Sequence, residues 1–134
     1  MKAMDPVRVH VRYAETDQMG FVYHSNYLVY FDIARTEWIR QLWMPYAELE
    51  KTGLFMVVID ALLEFKTPAL FDDVLTITAV IKSWSRAKLC FAYKIERESK
   101  RRKLICSGTT SHCLVDAKGR PQRMPDGLVN ILRG

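Results

Sequence analysis

Hydrophobic and polar positions alternate at the start of the chain. Val7, Val9 and Val11 are interleaved with Arg8, His10 and Arg12, a period of two that predicts a strand over residues 7–13. Residues 14–20 break the alternation with polar side chains and a glycine. The period then changes. Tyr27, Tyr30, Phe31, Ala34, Trp38 and Leu42 fall at helical spacing and build one aromatic-rich stripe. Ser25 or Asn26 is suited to cap this helix, since a short polar side chain accepts a free backbone N–H. Pro45 ends it, having no N–H to donate. Residues 46–52 read as further helical turns stopped at Gly53.

Beyond Gly53 the pattern is β. Residues 54–65 are apolar and β-branched. Residues 74–81 put Leu75, Ile77, Ala79 and Ile81 on one face and Thr76 and Thr78 on the other. Leu89, Phe91, Tyr93 and Ile95 alternate with Lys88, Cys90, Ala92, Lys94 and Glu96, and Lys103–Val115 is another long strand. Residues 83–87 and 98–102 read as hairpin connections, 116–121 as a turn, and 126–132 as a short terminal helix. Strand, helix, then several antiparallel strands is an α+β order, with one long helix against a strongly bent antiparallel sheet.

Length sharpens this picture. A chain of 134 residues is the size of one domain, read as spanning 1–134, and has little bulk for a deep cleft. A small-molecule site on it is therefore expected to be shared between subunits. Hydrophobic residues at 49% and charged residues at 26% exclude disorder as the main state. Twenty Lys and Arg against fifteen Asp and Glu leave a net charge of +5, which favours an acidic partner without naming it. The N-terminal stretch has no apolar core of a signal peptide, and no apolar run reaches the ~20 residues of a membrane helix. A cytoplasmic protein with no transmembrane segment is expected. Cys90, Cys106 and Cys113 have no zinc-type spacing and are expected to be reduced thiols. Alternation places Cys106 and His112 on one strand face and Cys113 on the other, so core packing is expected there and no metal site.

The chemistry concentrates in residues 13–27, YAETDQMGFVYHSNY. Two carboxylates, Glu15 and Asp17, a glycine, a histidine and three tyrosines join the first strand to the main helix, and a plain connection needs none of these. Gly20 permits positive φ or close approach to a ligand. The following helix N-terminus offers unpaired N–H groups that can hold an anion or polarise a carbonyl. Asp17 is placed for general-base or nucleophilic work, and is equally suited to closing a turn. His24 fits a first helical turn without chemistry, and Tyr13 and Tyr23 fit core aromatics with wet hydroxyls.

Taken together, Tyr13, Thr16, Asp17, Gly20, Val22, Tyr23, His24, Asn26 and Tyr27, followed by Ala34-Arg35-Thr36-Glu37, resemble the signature of hotdog-fold acyl-CoA thioesterases of the 4-hydroxybenzoyl-CoA thioesterase type. The likeness is greatest to the branch associated with the Tol–Pal system. Phe65 to Pro68 and Asp72-Asp73-Val74-Leu75 also fit. The resemblance implies a hotdog fold, a long central helix wrapped by a strongly bent antiparallel sheet, and a thioester hydrolase without bound cofactor or metal. It implies that Asp17 attacks the thioester carbonyl or activates water, and that a backbone N–H near His24 binds the oxyanion. Tyr13 and His24 match polar active-site residues of the Tol–Pal-associated branch. Gly20, Tyr23 and Asn26 fall at substrate-site positions of the motif, with Asn26 mainly structural. The resemblance further implies that two subunits pair their sheets, so that a partner strand lines the acyl pocket. A dimer or a tetramer is expected. Phe55, Met56 and Val58 are the residues expected to face the acyl group. Lys82, Arg86 and Lys88 flank the hairpin where coenzyme A phosphates are expected. The denser run of Arg97, Lys100, Arg101, Arg102 and Lys103 reads as a solvated turn. An acyl-carrier-protein thioesterase and a non-catalytic acyl-CoA binder are the competing expectations. Nucleic-acid binding has no motif behind it.

Overall fold

The computed structural model describes residues 2–134. The strands are β1 (Val7–His10), β2 (Phe55–Phe65), β3 (Val74–Trp84), β4 (Leu89–Arg97), β5 (Lys103–Val115) and β6 (Pro121–Gln122). The helices are α1 (Asn26–Leu42), α2 (Tyr46–Lys51) and α3 (Asp126–Arg133). All strand pairs are antiparallel, in the order β1-β3-β4-β5-β2, with β6 on β5. Register shifts interrupt β2, β3 and the β4–β5 pair, and such bulges bend strands and increase twist. The sheet curls around α1, the α+β hotdog arrangement.

The aromatic stripe is what seats the helix. Tyr27, Tyr30, Phe31, Ala34, Trp38 and Ile39 are all buried. Phe31 stacks on Tyr93 at 4.4 Å and Trp38 meets Phe91 edge-on at 5.3 Å. Burying a large apolar side chain of this kind stabilises the fold by about 1.5–3 kcal/mol. Opposite the helix, Leu75, Ile77, Phe91, Ile95 and Ile105 are fully buried on the sheet's inner face. Gly108 is required here: a Cβ on it would lie 2.2 Å from the Leu62 carbonyl oxygen and 2.8 Å from the Phe31 ring.

Some boundaries depart from the pattern reading: Ser83 and Trp84, read into a hairpin connection, pair in β3 with Cys90 and Leu89, and Pro121, read into a turn, belongs to β6. Two further departures lie between β1 and α1. The first strand stops at His10 rather than at residue 13, because Tyr13–Glu15 forms a single 3-10 turn. The Glu15 carboxylate takes the Arg12 N–H at 2.9 Å and draws the chain out of the sheet. Second, Ser25 stands at the N-cap of α1 without a side-chain cap bond, and the Asn26 amide turns back to the Glu15 carbonyl at 2.8 Å. The helix therefore begins uncapped. Its end falls at Leu42, before Pro45, and Pro45 then starts α2.

The sheet has two unlike edges. β1 is four residues long. β2 is eleven residues long and exposes Val57, Val58, Ile59, Leu62 and Phe65.

Candidate active site

The connection from β1 to α1 folds as a miniature hairpin. Thr16 bridges Val22, and Asp17 N–H donates to the Phe21 carbonyl at 2.8 Å. Gly20, at φ +80°, makes the reversal and donates to the Asp17 carbonyl at 3.0 Å. An L side chain is strained at that φ, so glycine is needed. The Asp17 side chain is part of the turn as well: its Oδ1 accepts from the N–H of Met19 at 2.9 Å and of Phe21 at 3.1 Å. Two donors on one oxygen fix the carboxylate's direction. The other oxygen, Oδ2, has no partner among the described residues, and Asp17 is solvent-exposed.

The hairpin leads directly to the free end of α1. The Tyr23 N–H is used by the Glu15 carbonyl, and those of Asn26 and Tyr27 by the carbonyls of Tyr23 and His24. The N–H groups of His24 and Ser25 have no acceptor among the described residues. They stand at the positive end of the helix, where an oxyanion is favoured. The His24 ring lies exposed against Tyr23, with centroids 4.4 Å apart.

Asp17, Tyr23 and His24 line one open groove of about 440 Å³. Tyr27 and Phe65 form an edge-on aromatic pair in its wall, 5.4 Å apart, and residues 66–68 continue that wall. A carboxylate with a free oxygen, two unpaired amides at a helix start and an apolar wall suit addition to a carbonyl carbon. Chemically, such a carboxylate can supply or activate a nucleophile, and such amides can receive developing negative charge.

The profile of the Thioesterase-like superfamily matches residues 11–132 of this chain. The chain belongs to the thioesterase-like superfamily. Acyl-CoA thioester hydrolase YbgC of Escherichia coli O157:H7 is 31% identical over 92% of the chain and 90% of its own length. A hypothetical protein of Thermus thermophilus has a solved structure that superposes with a TM-score of 0.88. It is 35% identical, and the match covers 98% of both chains. The solved DHNA-CoA thioesterase of Staphylococcus aureus superposes with a TM-score of 0.86 at 27% identity, over 96% of this chain and 85% of that one.

The other residues singled out in this thioesterase-like chain are not part of the groove lining. Tyr13 is 77% exposed and its ring rests edge-on against Phe71, 5.7 Å away, outside the groove lining. Asn26 spends its amide on the Glu15 carbonyl. Val58 stands on the exposed β2 edge, in a neighbouring groove of about 310 Å³ with Leu28, Val29 and Ala61. Arg86 ties the β3–β4 hairpin to α3 through the Met124 carbonyl at 3.2 Å and Asp126 at 2.8 Å. Lys82, near the end of β3, and Lys88, just before β4, are exposed and are not part of the groove lining. Arg97 departs from the solvated run it was grouped with: it bonds Asp73 and the Pro68 carbonyl, each at 2.8 Å, and fixes the loop that walls the groove.

Sequence reading missed Tyr27 and Phe65 as groove walls, because an aromatic at helical or strand spacing reads as core. It also left Glu15 without a role. Buried His112 belongs to the interior: its Nε2 bonds Thr110 at 2.7 Å, Thr110 meets Tyr93, and Tyr93 meets Arg35. Burial first, then the Arg35 charge, pushes the His112 imidazole down to about 4.

Proposed function

We propose that this chain is an acyl-CoA thioesterase, of the 4-hydroxybenzoyl-CoA thioesterase type and its Tol–Pal-associated branch, acting as a single 1–134 domain. It hydrolyses an acyl-CoA thioester to the free acid and coenzyme A. The observation that carries this reading is the groove in which Asp17 stands beside the start of α1, where one Asp17 oxygen and the His24 and Ser25 amides have no partner among the described residues. The names of the similar proteins support the substrate class: one is an acyl-CoA thioester hydrolase and another a DHNA-CoA thioesterase.

In the proposed reaction the thioester carbonyl sits with its oxygen at the His24 amide. Asp17 either adds to the carbonyl carbon, giving an acyl-enzyme anhydride that water then cleaves, or removes a proton from the water that adds. In both routes the carbon–sulfur bond breaks and coenzyme A leaves as thiolate, a good leaving group that needs no strong general acid. The amide donor is worth ~3 kcal/mol of transition-state stabilisation. The His24 ring and Tyr23 line the acyl approach. Tyr13 enters on the resemblance to the Tol–Pal-associated branch, with its ring at the outer face of the same loop.

Assembly completes the site in this reading. The long apolar β2 edge is the surface on which a second copy pairs, as a dimer or as a tetramer built from dimers. Such an edge otherwise invites uncontrolled pairing. Phe65 belongs both to this edge and to the groove wall. The partner strand would then close the groove, with Val58 and its neighbours against the acyl group. Gly20 and Asn26 shape the loop, and Lys82, Arg86 and Lys88 are the proposed contacts for the nucleotide phosphates.

Thiol release measured across short, long and aromatic acyl-CoAs tests the proposal. The expected result is turnover on at least one class. Saturable binding without thiol release from any of them would make the protein a binder rather than a hydrolase.

A further inference from the structure

Glu15 lies two residues before Asp17 and is 8% exposed. Its Oε1 accepts from the Tyr30 hydroxyl at 3.0 Å and from the Arg12 N–H at 2.9 Å. Its Oε2 receives the Arg12 guanidinium at 3.4 Å. Its carbonyl accepts twice more, from the Tyr23 N–H at 2.9 Å and the Asn26 amide at 2.8 Å. The carboxylate thus grips the second turn of α1, while the carbonyl of the same residue grips the segment that starts α1. Tyr30 is fully buried, and burial, then the Glu15 carboxylate, pushes its phenol well up, so it stays a donor.

We infer that Glu15 is a positioning residue that latches the Asp17 hairpin onto α1 and so sets the spacing between Asp17 and the unpaired amides of His24 and Ser25. This rests on the proposed role of Asp17. A buried carboxylate is an expensive way to hold a loop, since burial strips it of solvation that only its partners replace. The hairpin is already tied on its other side, where Val22 N–H meets the Ala69 carbonyl at 2.8 Å and Phe71 N–H meets the Gly20 carbonyl at 3.1 Å. Those bonds hold the hairpin to the loop before β3, which reaches α1 only indirectly for the hairpin, through the Ala69 N–H on the Tyr27 hydroxyl at 3.2 Å. Glu15 ties the residues beside Asp17 to α1 directly. A misplacement of about 1 Å between reacting groups costs on the order of 10²-fold in rate.

The test compares Glu15→Ala, Glu15→Gln and Tyr30→Phe with Asp17→Asn on one acyl-CoA, reading kcat and KM separately. Glu15→Ala is expected to lower kcat about 10²-fold with KM within about threefold of wild type. Glu15→Gln keeps an acceptor for both the Tyr30 hydroxyl and the Arg12 N–H and is expected to restore kcat to within about fivefold. Tyr30→Phe, which deletes one hydroxyl, is expected to lower kcat about tenfold and serves if Glu15→Ala does not fold. Wild-type kcat in Glu15→Ala or in Tyr30→Phe overturns the inference, as does a Gln variant as damaged as Ala. An active Asp17→Asn sinks the assignment of the site. An inactive Asp17→Asn beside a fully active Glu15→Ala sinks the latch alone.

Discussion

Asp17 and Glu15 are two residues apart, and the fold treats them in opposite ways. Asp17 is exposed, held by two N–H donors on one oxygen, with the other oxygen without a partner among the described residues. Glu15 is buried, with both oxygens engaged. His24 and His112 differ in burial too: His24 stands in solvent at the start of α1, while His112 is 1% exposed, with Nε2 bonded to Thr110 and Nδ1 without a partner among the described residues. Residue type therefore does not mark the reactive group here. In the proposed reading, unspent hydrogen-bonding capacity in the groove marks the reactive carboxylate, and the fully engaged carboxylate of Glu15 marks what holds the groove in shape.

The sharpest way to break this division is to remove the amide rather than the ring at position 24. His24→Pro deletes the unpaired N–H and is expected to lower kcat about 10²–10³-fold. His24→Ala keeps the amide and is expected to cost much less. Equal losses in the two variants, measured by thiol release, would move the chemistry from the backbone to the imidazole.

The exposed edge gives the next effect. A charge at Val58 or Ile59 is expected to block pairing along β2, since charged residues blunt strand edges. Sedimentation should then report a monomer, and on the proposed shared site activity should fall by an order of magnitude or more. A Val58→Asp protein that stays dimeric and active would place the assembly surface elsewhere.

His112 tests the interior half of the comparison through stability alone. Its folded-state value of about 4 lies below the ordinary 6.5, so the unfolded chain takes up the proton first as pH falls. The contribution of the neutral ring is fully present above about pH 6.5 and declines as pH drops towards 4, by up to about 3 kcal/mol. Denaturant unfolding at several pH values should show this loss, and His112→Gln should flatten it. A wild type equally stable at pH 7 and pH 4.5 would contradict the burial argument.

The sequence carried much of this in its periodicities. The aromatic stripe at helical spacing predicted α1, and Lys103–Val115 was legible to the residue, because burial of one face enforces each period. Residues 13–27 announced themselves by composition and by resemblance. What stayed illegible were facts of hydrogen bonding across the chain. Nothing in the pattern says that Glu15 reaches Tyr30, that Arg97 leaves its basic run to hold Pro68 and Asp73, or that Ser25 leaves the helix uncapped. Likewise, residues 54–65 read as a strand, but alternation alone does not say whether an apolar strand lies at the centre of a sheet or at its edge.

The most direct measurement is thiol release from a saturating acyl-CoA by equal amounts of wild type and Asp17→Asn, with acyl-CoA binding measured on both. Asn is nearly isosteric and its amide oxygen can still accept from Met19 and Phe21, so folding and binding are expected to persist. The account predicts a fall in kcat of about 10²–10⁴-fold at unchanged affinity. Wild-type turnover by Asp17→Asn would contradict it.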